Sequence, residues 1–262
     1  PLRDNGVETI VTLTRFYERV QRVRPRTAVK RVVVTNIKEY FPPLLRLLFT
    51  LAVEKKEGDR ITLAKGDFDL KTLVRQYRGR PFDRAALTMD DPAVLLTSGG
   101  TTGTPKGVLG RHAVFTLTGI QVEAWVSKVL DNGNSPLMLP LPMFHVYANV
   151  GVQGLSFVTG NPIALVPNPR DLKDVFKTVN KVKPTFFTGV PTLYAGILNH
   201  PDVQAGKVDF KSIKVCISGA APLMAETKAR FEAITGGRIV EGYSLTEAMM
   251  AACINPLDGP NK

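Results

Sequence analysis

The chain has 262 residues, 44% of them hydrophobic and 22% charged, with a formal net charge of +11. That length can bury a large core in one or two domains, and the composition excludes a disordered, collagen-like or disulfide-stapled protein. No apolar run approaches the roughly 20 residues of a spanning helix, and no basic motif interleaved with aromatics points to nucleic acid.

The positive charge is uneven. Residues 1–88 carry 19 Lys/Arg against 10 Asp/Glu, whereas residues 89–262 carry 15 against 13. Such a basic portion suits anionic membrane surfaces or polyanionic ligands, or is a solvated face whose acidic partners lie elsewhere. Pro1-Leu2-Arg3-Asp4-Asn5 has neither an initiating Met nor a signal-peptide pattern. Cys216 and Cys253 form no disulfide framework and no metal-ligand spacing; both are expected to be buried small hydrophobes in a reducing, cytoplasmic compartment.

In chain order, apolar runs alternate with helical stretches, the pattern of an α/β fold with doubly wound, mostly parallel sheets and flanking helices. Residues 8–13 and 30–35, the latter containing Val32-Val33-Val34, predict strands around a helix at 15–23. The segment from Phe41 to Val53 is apolar nearly all round and too short to span a bilayer. It fits an interfacial helix at a membrane surface, or a helix buried in the fold or against other parts of the protein. Residues 93–97 predict a strand and 113–129 a helix. Further strands are predicted at 135–139, 162–166, 185–188, 213–218 and 238–240. Helices are predicted at 171–180, 192–199 and 222–234, with Asp171 near an N-terminus and Pro222 in a first turn. The cluster Asp131-Asn132-Gly133-Asn134-Ser135-Pro136 is the strongest internal turn and sets a boundary between two βα subdomains, 1–135 and 136–262.

Four motifs carry chemistry. Thr97-Ser98-Gly99-Gly100-Thr101-Thr102-Gly103-Thr104-Pro105-Lys106-Gly107 follows the apolar run 93–96. Its glycines allow a tight loop with inward N–H groups, its threonines add hydroxyl donors, and Lys106 adds a mobile positive charge, the parts that hold a polyphosphate. Lys106 follows a proline and precedes Gly107, so the Walker template fails, and no Gly-x-Gly-x-x-Gly is present. Pro140-Leu141-Pro142-Met143-Phe144-His145-Val146-Tyr147 leaves a strand with one histidine among apolar residues; alone, such a histidine is more often structural. Ser218-Gly219-Ala220-Ala221-Pro222-Leu223 lets backbone approach a flat or anionic ligand, or is simply a tight βα turn. Glu241-Gly242-Tyr243-Ser244-Leu245-Thr246-Glu247 brings an aromatic face, hydroxyls and carboxylates into one expected loop, enough to stack a base, touch a phosphate and hold a hard cation. A serine hydrolase is disfavoured: no Gly-x-Ser-x-Gly elbow occurs, and only His112, His145 and His200 could act as base.

In this order the motifs resemble the adenylate-forming (AMP-binding) enzymes, and among these most closely the bacterial long-chain fatty acid–CoA ligases, across most of the chain. That resemblance implies that Thr101, Thr102, Gly103, Thr104 and Lys106 hold the β- and γ-phosphates of ATP. Gly219, Ala220 and Ala221 would line the junction of the adenine and acyl sites. Within the last motif, Glu241, Gly242, Tyr243 and Ser244 would line the adenine side, with Tyr243 stacked on the base. Thr246 would contact the α-phosphate, Glu247 would ligate Mg²⁺, and His145 would lie beside the reacting carboxyl group. Some relatives carry a gating Trp four residues after that histidine; here the position is Asn149. The resemblance further implies ATP, CoA and a fatty acid as substrates. It also implies an internal portion of a large N-terminal domain whose small C-terminal lid, with its essential lysine, lies outside the chain. Medium-chain or aryl-CoA ligases and other adenylation domains share these motifs. A non-catalytic nucleotide- or acyl-binding module would share them too.

Overall fold

The apolar run 32–34 is a strand buried on both faces, with Val32, Val33 and Val34 each exposing 8% or less. In the computed structural model, which describes residues 2–99 and 106–259, it is central to a three-stranded parallel sheet. Here β1 (Thr9–Leu13) leads through a 3₁₀ turn into α1 (Tyr17–Val23), and β2 (Arg31–Thr35) is followed by α2 (Pro43–Ala52). A short β3 (Phe68–Asp69) then opens α3 (Leu70–Tyr77). The strand order is β1-β2-β3, and Tyr17, Val29, Val32 and Val34 form the centre of the core.

A buried carboxylate ties this unit together. The side chain of Asp67 is fully buried and accepts from Tyr17 Oη at 2.7 Å, Gln21 Nε2 at 2.6 Å, Arg24 Nη1 at 2.9 Å and the backbone N–H of Val32 at 3.0 Å. Burial pushes its pKa up, but the hydrogen bonds from Tyr17, Val32 and Gln21 and the charge of Arg24 outweigh it and hold the carboxyl below its ordinary value. Helix α2 differs. It buries none of its residues, and Leu44, Leu47 and Leu51 are 69%, 56% and 75% exposed. Burial of this helix among the described residues is therefore overturned.

The second unit begins at Leu87. Strand β4 (Pro92–Ser98) pairs antiparallel with β5 (Lys106–Arg111), which runs directly into α4 (His112–Val126). Next come β6 (Leu137–Leu139), a π-helical turn over Tyr147–Val152, α5 (Gln153–Thr159) and β7 (Ile163–Leu165). Helix α6 (Leu172–Val182), β8 (Phe186–Gly189), α7 (Pro191–Leu198) and α8 (Pro201–Gln204) follow. The unit ends with β9 (Val215–Ser218), α9 (Ala225–Thr235), β10 (Arg238–Leu245) and β11 (Met250–Ile254). The main sheet has the order β11-β10-β9-β8-β6-β7, parallel throughout except for β11.

Successive residues of these strands enter opposite cores. Leu137, Leu139, Phe186, Val215, Ile217 and Val240 pack with Val122 and Val126 of α4 and Leu155 of α5. Their neighbours Met138, Phe187, Cys216 and Ile239 pack with Val175, Tyr194 and Phe231 of α6, α7 and α9. A period of two with both faces buried gives continuous apolar runs and a doubly wound sheet. Helices α4 and α5 pass very close: a Cβ on Gly119 would stand 2.5 Å from the carbonyl oxygen of Gly154.

Several expectations change. The break between compact units lies at 86/87 instead of 135/136, because α4 shares one core with β6. Strand β5, absent from the expected order of strand, loop and helix, separates the Gly/Thr loop from α4. Pro222 precedes α9 instead of opening it, since the helix starts at Ala225. Cys216 is buried as expected, whereas Cys253 is exposed on the edge strand β11. No described helix is long and apolar enough to cross a membrane.

Asp67→Asn leaves Arg24 without its buried counter-charge and is expected to cost about 3 kcal/mol, read as a lower urea midpoint for residues 1–86. Because the folded carboxyl titrates below its unfolded value, its contribution is present above the unfolded pKa and is lost as pH falls through the depressed folded value. An acid titration of the wild-type protein should show this loss and the substituted protein should not; identical acid profiles would refute the assignment.

Candidate nucleotide-binding site

The site forms where parallel strands end. Strand β9 finishes at Ser218, and the carbonyl oxygen of Ile217 accepts two tyrosine hydroxyls, Tyr147 Oη at 2.9 Å and Tyr194 Oη at 2.7 Å. Both phenols are enclosed, and burial pushes their pKa values well above the ordinary range, so both remain donors. The chain then turns sharply: Gly219 N–H donates to Gly189 O at 3.3 Å, and Ala220 takes φ 72, a left-handed conformation rare outside glycine. Glu241 Oε1 accepts the N–H of Leu223 at 2.8 Å, and Glu241 O accepts the N–H of Asn255 at 3.0 Å. One residue thus ties the turn, β10 and the start of the segment after β11 together.

These ties frame a cleft of about 520 Å³ whose lining includes Ala220, Ala221, Glu241, Gly242, Tyr243 and Ser244. Tyr243 offers its ring, 65% exposed. Gly219 stands one step deeper, lining a narrow apolar space with Tyr147, Ile217, Gly242 and Met250. That space measures only about 10 Å³, no more than one water. At the cleft's inner edge, Ser218 is 1% exposed and its Oγ has no hydrogen-bond partner. A buried hydroxyl left unpaired costs free energy unless a ligand or water satisfies it.

The remaining predicted residues are placed differently. Glu241 to Leu245 sit on β10, not in a loop, and Thr246 and Glu247 form the following 3₁₀ turn. That turn packs on β4, and Met249 stands against Gly110 of β5, so the hairpin and the Thr246–Glu247 turn adjoin. Lys106 is the first residue of β5 and lies opposite Ser98 in the hairpin register, which brings together the two ends of the Gly/Thr loop. Thr101, Thr102, Gly103 and Thr104 lie outside the described residues. His145 is exposed, and its Nδ1 accepts the N–H of Tyr147 at 3.2 Å, which in the neutral ring leaves the proton on Nε2. It is not brought into the cleft lining.

Glu247 is an exposed carboxylate, and among the described residues no group of three or more His, Cys, Asp or Glu could hold a metal ion. A single carboxylate fits Mg²⁺, which keeps several waters and leans on substrate phosphates. Sequence reasoning gave no role to Ser218 or to any residue of β11. A hydroxyl at the carboxyl end of a parallel strand is a usable signal for the first; β11 carries no comparable one.

A profile of the AMP-binding enzyme family matches residues 1–262. The chain is 34% identical over its full length to a long-chain-fatty-acid–CoA ligase of Bacillus subtilis, and 29% identical over 98% of its length to one of Escherichia coli O157:H7. It spans 46% of each, so it covers about half the length of these curated relatives. Among solved structures it resembles an anthranilate CoA ligase in complex with anthranoyl-AMP, with TM-score 0.80 and 21% identity over 99% of this chain and 45% of the other. It also resembles a long-chain-fatty-acid-CoA ligase from Archaeoglobus fulgidus, with TM-score 0.73 and 21% identity over 97% and 46%. Both share the fold.

Ser218→Ala separates stability from binding. Removing an unpaired buried hydroxyl should leave thermal stability unchanged or slightly raised, while AMP affinity falls about three- to tenfold, the value of one hydrogen bond. A stability loss with unchanged affinity would assign the hydroxyl to the fold.

Proposed function

Since the chain belongs to the AMP-binding enzyme family, we propose that the protein it comes from is a long-chain fatty acid–CoA ligase. The cleft walled by Ala220, Ala221 and Tyr243 next to the β4–β5 hairpin is the observation that carries this reading. Relatives named for that activity, aligned over 98–100% of the chain, support it. A fatty carboxylate attacks the α-phosphate of ATP, forming acyl-adenylate and releasing pyrophosphate. The CoA thiol then attacks the acyl carbon, giving acyl-CoA and AMP.

The residues divide this work. Tyr243 stacks on adenine, while the Gly219-Ala220-Ala221 turn lets backbone approach the nucleotide where its acyl group joins. Thr246 contacts the α-phosphate. Lys106, with Thr101, Thr102, Gly103 and Thr104, neutralises and positions the departing pyrophosphate. Glu247 would hold Mg²⁺, which would supply charge neutralisation at the phosphates. His145, ahead of the Tyr147 turn, approaches the carboxylate. No side chain forms a covalent bond with substrate.

On the intact protein, ATP–pyrophosphate exchange driven by acids from acetate through palmitate to benzoate should peak at long chains. Lys106→Ala should lower that exchange about 100-fold or more. A benzoate or acetate maximum would replace the acid class, and absence of exchange with every acid would leave a nucleotide-binding module.

The proposal extends to a cytoplasmic protein with peripheral contact at the inner membrane surface, supported by the free thiols, the basic first unit and the exposed leucines of α2. Leu47→Glu with Leu51→Glu should reduce co-sedimentation with anionic vesicles several-fold and leave acid-dependent exchange with a short, soluble acid unchanged. Equal sedimentation of both proteins would remove α2 from membrane contact.

A further inference from the structure

The two cysteines have opposite environments. Cys216 lies in the middle of β9, 0% exposed, and burial pushes its thiol pKa well up, which makes it inert. Cys253 lies on the edge strand β11, is exposed, and lines the same cleft as Tyr243. The antiparallel register places Cys253 directly opposite Tyr243, so the two side chains share one face of the sheet. A second observation marks that cleft as built for a ligand: Ser218 Oγ is enclosed at its inner edge without a partner. The thiol therefore stands beside the ring assigned to adenine, reachable from solvent and close enough for an added group to occupy the same volume.

We propose that Cys253 is a modification site through which small disulfides close the nucleotide cleft. The inference rests on the cleft being the nucleotide site. In thiol–disulfide exchange the Cys253 thiolate attacks one sulfur of a low-molecular-weight disulfide. The old S–S bond breaks, a new one forms to Cys253, and the other half leaves as a thiolate that takes up a proton. The leaving sulfur takes the electron pair of the broken bond, so the disulfide itself is the oxidant and Cys253 the reductant. A reduced thiol reverses the exchange. The mixed disulfide places its substituent next to Tyr243, where a stacked base and the adduct exclude one another.

The test treats the intact protein with glutathione disulfide and reads three quantities: the modified peptide by mass spectrometry, MgATP affinity, and recovery with dithiothreitol. The expected result is an adduct on Cys253 and none on Cys216, an affinity loss of about tenfold or more, and full recovery on reduction. Saturating MgATP should slow the labelling. In Cys253→Ser, the same treatment should leave that variant's own affinity unmoved. An adduct on Cys253 with affinity unchanged, or labelling at the same rate with and without MgATP, overturns the inference while leaving the nucleotide site intact. Failure of the untreated protein to bind MgATP overturns the functional reading and the inference with it.

Discussion

The carbonyl of Ile217, held by two buried tyrosine hydroxyls, is the contact on which the cleft depends. It is the penultimate carbonyl of β9, one residue before the strand ends at Ser218. Tyr147 reaches it from the π-helical turn on one side of the sheet, and Tyr194 from α7 on the other. Tyr147 belongs to one apolar core and Tyr194 to its counterpart, so a single acceptor joins both layers. Directly beyond it come Ser218, Gly219 and the left-handed Ala220. The turn that borders the cleft is thus positioned by packing from both faces, which is how a small-residue loop achieves the precision of a rigid element.

Residues 32–34, 137–139, 186–189 and 215–218 are legible as strands because the sheets are covered on both sides. Two-sided burial removes polar alternation and leaves short, dense apolar runs bounded by turns. Strand β5 is illegible for the opposite reason. Lys106-Gly107-Val108-Leu109-Gly110-Arg111 contains two glycines and two charges, and its pairing with β4 comes from hairpin register, not from any local preference. The turn at 131–136 is a true reversal, with Gly133 at φ 80, yet it divides no core. Turn chemistry reports where a chain bends, whereas a domain boundary depends on which apolar faces meet afterwards. Val122 and Val126 meet Leu137 and Leu139 across that very turn.

The candidate site is legible as motifs but not as geometry. Small residues at 219–221 and the aromatic at 243 announce a backbone-lined cleft, and the structure brings Ala220, Ala221 and Tyr243 to one place, with Gly219 lining the adjoining narrow space. Which side chains share that wall is a matter of register, and register is set by a strand the sequence hides. Cys253 illustrates this. As a small apolar residue among alanines it reads as buried, but its strand is the sheet's edge and its partner is Tyr243. The acidic residues of the first unit show a similar gap: nothing in the sequence marks Glu54, Asp59 and Asp67 as core residues. In the fold their side chains are buried and paired with Lys38, Arg15 and Arg24.

Backbone strain is concentrated around the same cleft. Ala220 at φ 72, Met249 at φ 53 and Met250 at φ 130 are three of the four non-glycine residues with positive φ among those described. Each such conformation costs about 1–3 kcal/mol and survives only where the surroundings over-determine it. For the methionines that determination is visible. Met249 rests on Gly110 and Met250 on Gly151, positions where an added Cβ would stand 2.9 Å from Met249 Sδ and 2.4 Å from Met250 Cε. The glycines supply the room that lets β10 reverse into β11 within a few residues of Glu247. That reversal carries Cys253 back alongside Tyr243 and closes the cleft wall. Strain here is therefore coupled to site geometry: the turn whose left-handed residues are Met249 and Met250 is the one that sets the β10–β11 register of the cleft wall.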